Sequence, residues 1–292
     1  MILILTLVTR DASAGRLANA VPGGLGAAVE RGRHWCVAER EIDVKHRAEF
    51  VKFLETEAAA AKADWAITPH ENRRKKLLIS DMDSTIIGQE CLDELADFAG
   101  LKAQVSAITE RAMRGELDFA SALTERVAML KGLDLSALEA CYAQRVTLNP
   151  GAAALTATMK ANGARCVLVS GGFRYFTSRV AAAAGFDTDR ANTLIDDGKT
   201  LTGAVGQPIL GREAKLAALK EESVAMGAMP ADAVAIGDGA NDLDMIRAAG
   251  LGIAYKAKPI VAAETLARIE YTDLTAALFF QGYREEEVLV QG

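Results

Sequence analysis

Apolar positions fall into two textures along the 292 residues, and the change lies near residue 76. Ahead of it, residues 2 to 8 form an apolar run that predicts a strand, and 13 to 21 predict a short helix. Residues 35 to 43 alternate as a second strand would, and 46 to 62 carry helical spacing that ends in "AAAAKA". The polar "HENRRKK" at 70 to 76 reads as a linker. Beyond it stand four short apolar runs, "KLLIS", "CVLVS", "AVAIG" and "GLGIA", the first three set apart by long helical or mixed segments. Runs of this length are what strands buried on both faces look like. Residues 92 to 148, between the first two runs, place apolar side chains at spacings of three and four, which predicts helices. "DDGK", inside residues 186 to 205, predicts a hairpin.

These elements predict an α/β fold: a Rossmann-like parallel sheet over 76–91 and 149–292, a helical cap over 92–148, and a small N-terminal α+β module over 1–75. The module carries no recognisable chemistry and is expected to pack or to dimerise, so a homodimer is a possible assembly. Three of the four runs end in polar residues, namely Asp81, Ser170 and Asp238. Ligands of open α/β sheets bind past the carboxyl ends of the strands, so the three are expected to meet in one crevice. An inserted helical unit there would lie over it.

"DMDST" sets Asp81 and Asp83 one residue apart, and close carboxylates repel unless a cation, a lysine or both offset them. Alone, such a pair is an ordinary turn or cap. It gains weight from "VLVSGGF" at 167 to 173, from Lys215 in a helical stretch, and from "IGDGANDLDM" at 236 to 245. Half the residues are hydrophobic but only 5% aromatic, which suits helices packed on a sheet. The net charge of −6 argues against a general nucleic-acid or membrane-surface role, because both need basic faces. Cys36, Cys91, Cys141 and Cys166 form no CxxC pair and are expected as buried thiols. His34, His46 and His70 lie away from them, which disfavours a zinc site or a histidine triad. The opening "MILILTLVTRDASAG" imitates a leader but lacks a basic start and is broken by Arg10 and Asp11. With no run long enough to span a bilayer, the expectation is a cytoplasmic protein with no membrane and no nucleic-acid partner.

From residue 76 to about 280 the chain resembles the haloacid dehalogenase (HAD) superfamily of phosphatases. Asp81, Asp83 and Thr85 match its DxDx[TS] pattern, Ser170 its second-strand hydroxyl, Lys215 its lysine, and Asp238 and Asp242 its metal motif. Within the superfamily the sequence is most similar to the phosphoserine phosphatases. That likeness rests on "GQECLDELA" with Glu90, on "AMRGELDFASALTERVAMLKGL" with Phe119 and Arg126, on Ser170-Gly171-Gly172-Phe173 and on "GDGANDL". It implies Mg²⁺-dependent hydrolysis of the small phosphomonoester O-phospho-L-serine through an aspartyl phosphate, the last step of serine biosynthesis. It further implies Asp81 as nucleophile, Asp83 as acid and base, and Ser170 and Lys215 on the phosphoryl oxygens. Mg²⁺ would be held by Asp81, Asp238 and the Asp83 backbone, with Asp242 behind them. Glu90, Phe119, Arg126, Gly171, Gly172 and Asn241 would bind substrate. Other readings are a related phosphatase or phosphotransferase for another small phosphomonoester, and a module that only senses a phosphorylated metabolite. The N-terminal region distantly resembles the ACT-like modules of some longer phosphoserine phosphatases. Two strands and two helices fall short of that arrangement.

Overall fold

The computed structural model describes residues 2–32, 34–113 and 116–289. The N-terminal region is richer than its sequence pattern predicts. It runs β1 (Ile2–Thr9), helix Ala14–Ala20, β2 (Gly24–Arg31), β3 (Cys36–Asp43), helix Arg47–Phe53 and β4 (Asp64–Pro69). This is a complete β-α-β-β-α-β unit, with antiparallel strands in the order β2-β3-β1-β4. The expectation of a shorter arrangement is therefore corrected. β2 escaped notice because it is the sheet edge, where nearly every side chain of "GLGAAVER" is exposed and no apolar alternation is required. The helix expected over 46–62 continues past Phe53 as a π-helical stretch, Leu54–Ala58.

The four apolar runs become strands as expected: β5 (Leu77–Ser80), then β6 (Arg165–Phe173) and, after further elements, the strands Ala233–Gly237 and Leu251–Tyr255. β7 (Thr188–Asn192) follows β6 and extends the main sheet, so the hairpin predicted over 186–205 is confined to β8 (Leu194–Asp196) and β9 (Leu201–Val205). β10 (Ala233–Gly237), β11 (Leu251–Tyr255) and β12 (Ala267–Ile269) complete the set. β12-β11-β10-β5-β6-β7 are parallel neighbours, and β12 also pairs antiparallel with β4. The N-terminal strands and the parallel strands thus form one ten-stranded sheet. Asp64 of β4 reinforces the junction: its carboxylate accepts from the backbone N–H groups of Glu270, Tyr271 and Thr272 at 2.6, 2.9 and 2.8 Å.

The core strands read as continuous apolar runs because both faces are covered. Leu77 and Ile79 pack with Ala218 and Leu219 of the helix Arg212–Ala225. Leu78 points the other way, into the cluster that holds Leu155 and Met159 of the helix Ala152–Ala161. Among the described residues, four helices, Cys91–Phe98, Lys102–Met113, Phe119–Ala128 and Leu135–Arg145, fill the interval between β5 and the helix Ala152–Ala161 that leads into β6. Asp118 and Asp134 cap two of them by accepting from the N–H groups of Ser121 and Ser136 at 2.7 and 2.8 Å. The chain leaves and re-enters the core side by side, with Ile87 bridged to Leu148. The β8–β9 hairpin is stitched to the cap, where Gly132 N–H donates to the Leu201 carbonyl and Leu201 N–H to that of Leu133, at 2.8 and 2.9 Å. Of the cysteines, Cys91, Cys141 and Cys166 are buried free thiols as expected, whereas Cys36 is half-buried. No helix among the described residues is long and apolar enough to cross a membrane.

Candidate active site

Asp81 follows β5 directly, and its N–H donates to the Ile236 carbonyl of β10 at 3.0 Å, which carries the ladder one residue beyond the strand. Asp238 follows β10, and Asp242 closes the short 3-10 turn after it. Carboxylate oxygens of Asp81, Asp238 and Asp242 lie within 4.8 Å of one another. Lys215, only 2% exposed, reaches in from the helix Arg212–Ala225 to Asp81 Oδ1 at 2.7 Å and Asp242 Oδ1 at 2.6 Å. The other Asp242 oxygen accepts from Gly239 N–H at 3.0 Å. The backbone must come close for this: a Cβ on Gly237 would stand 2.4 Å from the Asp242 carboxylate. Among the described residues the Asp238 carboxylate makes no hydrogen bond or ion pair.

Asp83 is held from two sides. Its Oδ1 accepts from Cys91 N–H at 2.9 Å, at the start of the first cap helix. Its Oδ2 accepts from the Ser170 hydroxyl at 3.3 Å, while Ser170 Oγ takes the Gly172 N–H at 2.8 Å. A side chain at Gly172 would crowd both Asp83 Oδ2 and Ser170 Oγ at 3.0 Å. Ser84 has a positive φ of 53°, costly for a non-glycine residue. Its hydroxyl donates to Glu90 Oε1 at 2.7 Å.

The electrostatics follow from burial and crowding. Burial raises Asp81 well above the ordinary carboxylate range; Lys215 pulls it back, and Asp242 and Asp83 add to the rise. Burial and the nearby Glu90 push Asp83 up to about 6, and burial with Asp242 and Glu90 does the same for Asp238. Burial alone would lower Lys215, but Asp81 and Asp242 more than offset it, and the ammonium is held above its usual value. Three carboxylates against one ammonium leave the cluster about two positive charges short, and they are oxygen donors. That fits a small divalent cation of the hard, oxygen-seeking kind.

The residues expected to read the substrate come from the cap. Phe119, the first residue of its helix, is 41% exposed. A Cβ at Gly171 would stand 3.0 Å from its Cζ, and one at Gly211 3.6 Å from its Cδ1. About two turns further on, Arg126 has a buried Nε with no hydrogen-bond partner among the described residues. Burial holds its guanidinium below the ordinary value, resisted by Asp93, Glu90 and Asp83. Glu90 is exposed at the N-terminus of the first cap helix. Asn241 is exposed on the turn before Asp242, near Gly239, and its side chain makes no hydrogen bond among the described residues.

A model of the haloacid dehalogenase-like hydrolases matches residues 78–247. A phosphoserine phosphatase of Polaromonas sp. is 47% identical over 199 residues, covering 66% of this chain and 84% of that protein. The chain belongs to the haloacid dehalogenase-like hydrolases, in their phosphoserine phosphatase family. Among solved structures, a HAD family hydrolase from Salmonella enterica serovar Typhi superposes with a TM-score of 0.87 at 31% identity. The match covers 96% of this chain and 98% of that one, so it includes the N-terminal unit. A phospho-aspartyl intermediate analogue of phosphoserine phosphatase gives 0.65 at 39% identity, over 71% of this chain and 99% of that one.

For a HAD hydrolase, some of the supporting residues had no sequence signal. Cys91 acts through its backbone N–H, which any residue but proline would supply. Ser84 lies inside the quoted motif, but its strained backbone is visible only in three dimensions.

Proposed function

We propose that this HAD hydrolase is a phosphoserine phosphatase that releases L-serine and phosphate in two steps. The observation that carries the reading is the Asp81–Lys215–Asp242 contact beside an Asp83 tied to Ser170. A carboxylate needs no base to become a nucleophile, so Asp81 attacks phosphorus and the seryl oxygen departs. Asp83 gives that oxygen its proton. The resulting acyl phosphate is activated, and water displaces phosphate from Asp81 while Asp83 takes the water's proton. A carboxyl held near 6 can serve in both directions around neutral pH. Lys215 and the Ser170 hydroxyl would stabilise charge on the phosphoryl oxygens.

Asp81 and Asp238 are the residues that would hold Mg²⁺, with Asp242 and the Asp83 backbone in support. When bound, the ion would offset charge between the phosphate dianion and the anionic nucleophile. We expect phosphate release from O-phospho-L-serine to cease with chelator and return with added Mg²⁺. A panel of small phosphomonoesters assayed with and without the metal is the test. Turnover that ignores chelation would remove the metal, and a preference for another ester would remove the substrate.

Arg126 supports the choice of an amino-acid ester, because a buried guanidinium Nε without a partner among the described residues invites a carboxylate. Glu90 carries the charge needed for the ammonium. Losing one partner of a desolvated charge pair costs about 2–5 kcal/mol. Arg126→Ala should therefore lower kcat/KM for O-phospho-L-serine by roughly 30-fold or more. Phosphoethanolamine, which lacks the carboxylate, should lose little. Equal losses on both esters would count against Arg126 as the carboxylate reader.

A further inference from the structure

The two glycine backbones under Phe119 are joined by one side chain that none of the motifs contains. β6 and β7 run in register up to Val169↔Arg190 and resume at Phe173↔Asn192, so β6 has two more residues than β7 in that interval. Ser170-Gly171-Gly172 stand opposite Ala191 alone, bulged out of the ladder toward Asp83. A bulge of this kind leaves backbone groups without their strand partners. Asn192, 2% exposed at the end of β7, supplies one: its Nδ2 donates to the Gly171 carbonyl at 2.8 Å. The same nitrogen donates to the Leu210 carbonyl at 3.2 Å, and Oδ1 accepts from Leu210 N–H at 2.7 Å.

Both amide donors and the acceptor are thus engaged, and they bind two separate segments. One is the Ser170 loop. The other is the stretch that enters the Lys215 helix through Gly211. The Gly171–Gly172 peptide is fixed at each end, its oxygen by Asn192 and its N–H by Ser170 Oγ. Gly171 and Gly211, held at a set spacing by this amide, are two places where the Phe119 ring lies close against the core.

We infer that Asn192 is a positioning residue for substrate recognition, holding the Gly171 and Leu210–Gly211 backbones as the seat on which Phe119 of the cap closes. The inference rests on the phosphomonoesterase reading but on no particular ester. Replacing the amide takes away the partner that ties these part-buried backbone groups together, so the seat spreads and Phe119 loses its contact. The reacting groups Asp81, Asp83 and Lys215 make no hydrogen bond with Asn192, so the loss should fall mainly on KM.

The test is a double-mutant cycle of Asn192→Ala with Phe119→Ala, using O-phospho-L-serine or, if the wild type rejects it, the best ester of the panel. Each single variant is expected to lower kcat/KM by roughly 10- to 100-fold. The double variant should be little worse than the more damaged single, because both remove the same closure. Thermal midpoints should instead add, since Phe119 is partly exposed and contributes separately to stability. Losses in kcat/KM that multiply would overturn the inference, as would a fall confined to kcat. If Asn192→Ala does not fold, Asn192→Asp keeps the acceptor for Leu210 and removes both donors, and the same coupling with Phe119→Ala decides. A wild type inactive on every ester would refute the proposed function, a result distinct from an active wild type with uncoupled variants.

Discussion

Asp81→Asn should abolish phosphate release, by roughly 10⁴-fold or more, the scale on which loss of an attacking group registers while binding persists. An amide oxygen is a poor nucleophile toward phosphorus, and of the neighbouring carboxylates Asp238 is the one proposed to hold the metal. Asp83 is committed to Cys91 and Ser170, and Asp242 to Lys215 and Gly239. The fold should survive, because Asn has nearly the same shape and Lys215 keeps Asp242 at 2.6 Å. Binding of O-phospho-L-serine, measured by calorimetry, should therefore persist while single-turnover release disappears. Near-normal release would mean that another group attacks.

Lys215→Met should be costly in a second way. Among the described residues Lys215 is the one cation in contact with Asp81 and Asp242, and the Asp242 side chain is wholly buried. Removing one partner from such a cluster leaves carboxylates facing each other out of water, a loss of about 3–5 kcal/mol in metal-free protein. Mg²⁺, which binds the native cluster and not the unfolded chain, should return much of that stability. It should not return activity, since the stabilising donor on the phosphoryl group is gone, an effect of about 10²–10³-fold in kcat. Urea unfolding with and without Mg²⁺, alongside the phosphate assay, reads both. A metal-free variant as stable as wild type would show that the lysine does not offset the carboxylates.

The parts legible in the sequence were those whose physics is local or repeated along the chain. β5, β6, β10 and β11 announced themselves because burial on both faces demands unbroken apolar runs. Asp81, Ser170 and Asp238 could be placed together because each follows such a run or interrupts its end. What could not be read were the edges. β2 is exposed, and β7, "TDRAN", is polar because its side chains before Asn192 are only half-buried. Asn192 was hidden for the same reason: a lone asparagine in a polar segment looks like turn chemistry. Its meaning depends on a bulge in β6 and on Leu210, 18 residues later. Cys91 and Ser84 matter through backbone geometry, to which residue type is nearly blind.

The short antiparallel contact between β4 and β12 decides how this chain could be cut. A break at the polar stretch 70–76 looks harmless on paper, yet it would detach β4 from Ala267 and Arg268 and turn β12 into a raw margin. Asp64 would leave with it, abandoning three backbone N–H groups at residues 270–272 that have been drawn to its carboxylate. Val8, Val37 and Ala66, which share a buried cluster with Phe279 and Tyr283, would expose that cluster as they departed. A catalytic half produced by itself would thus offer a strand margin and a greasy flank to other copies, an invitation to self-association.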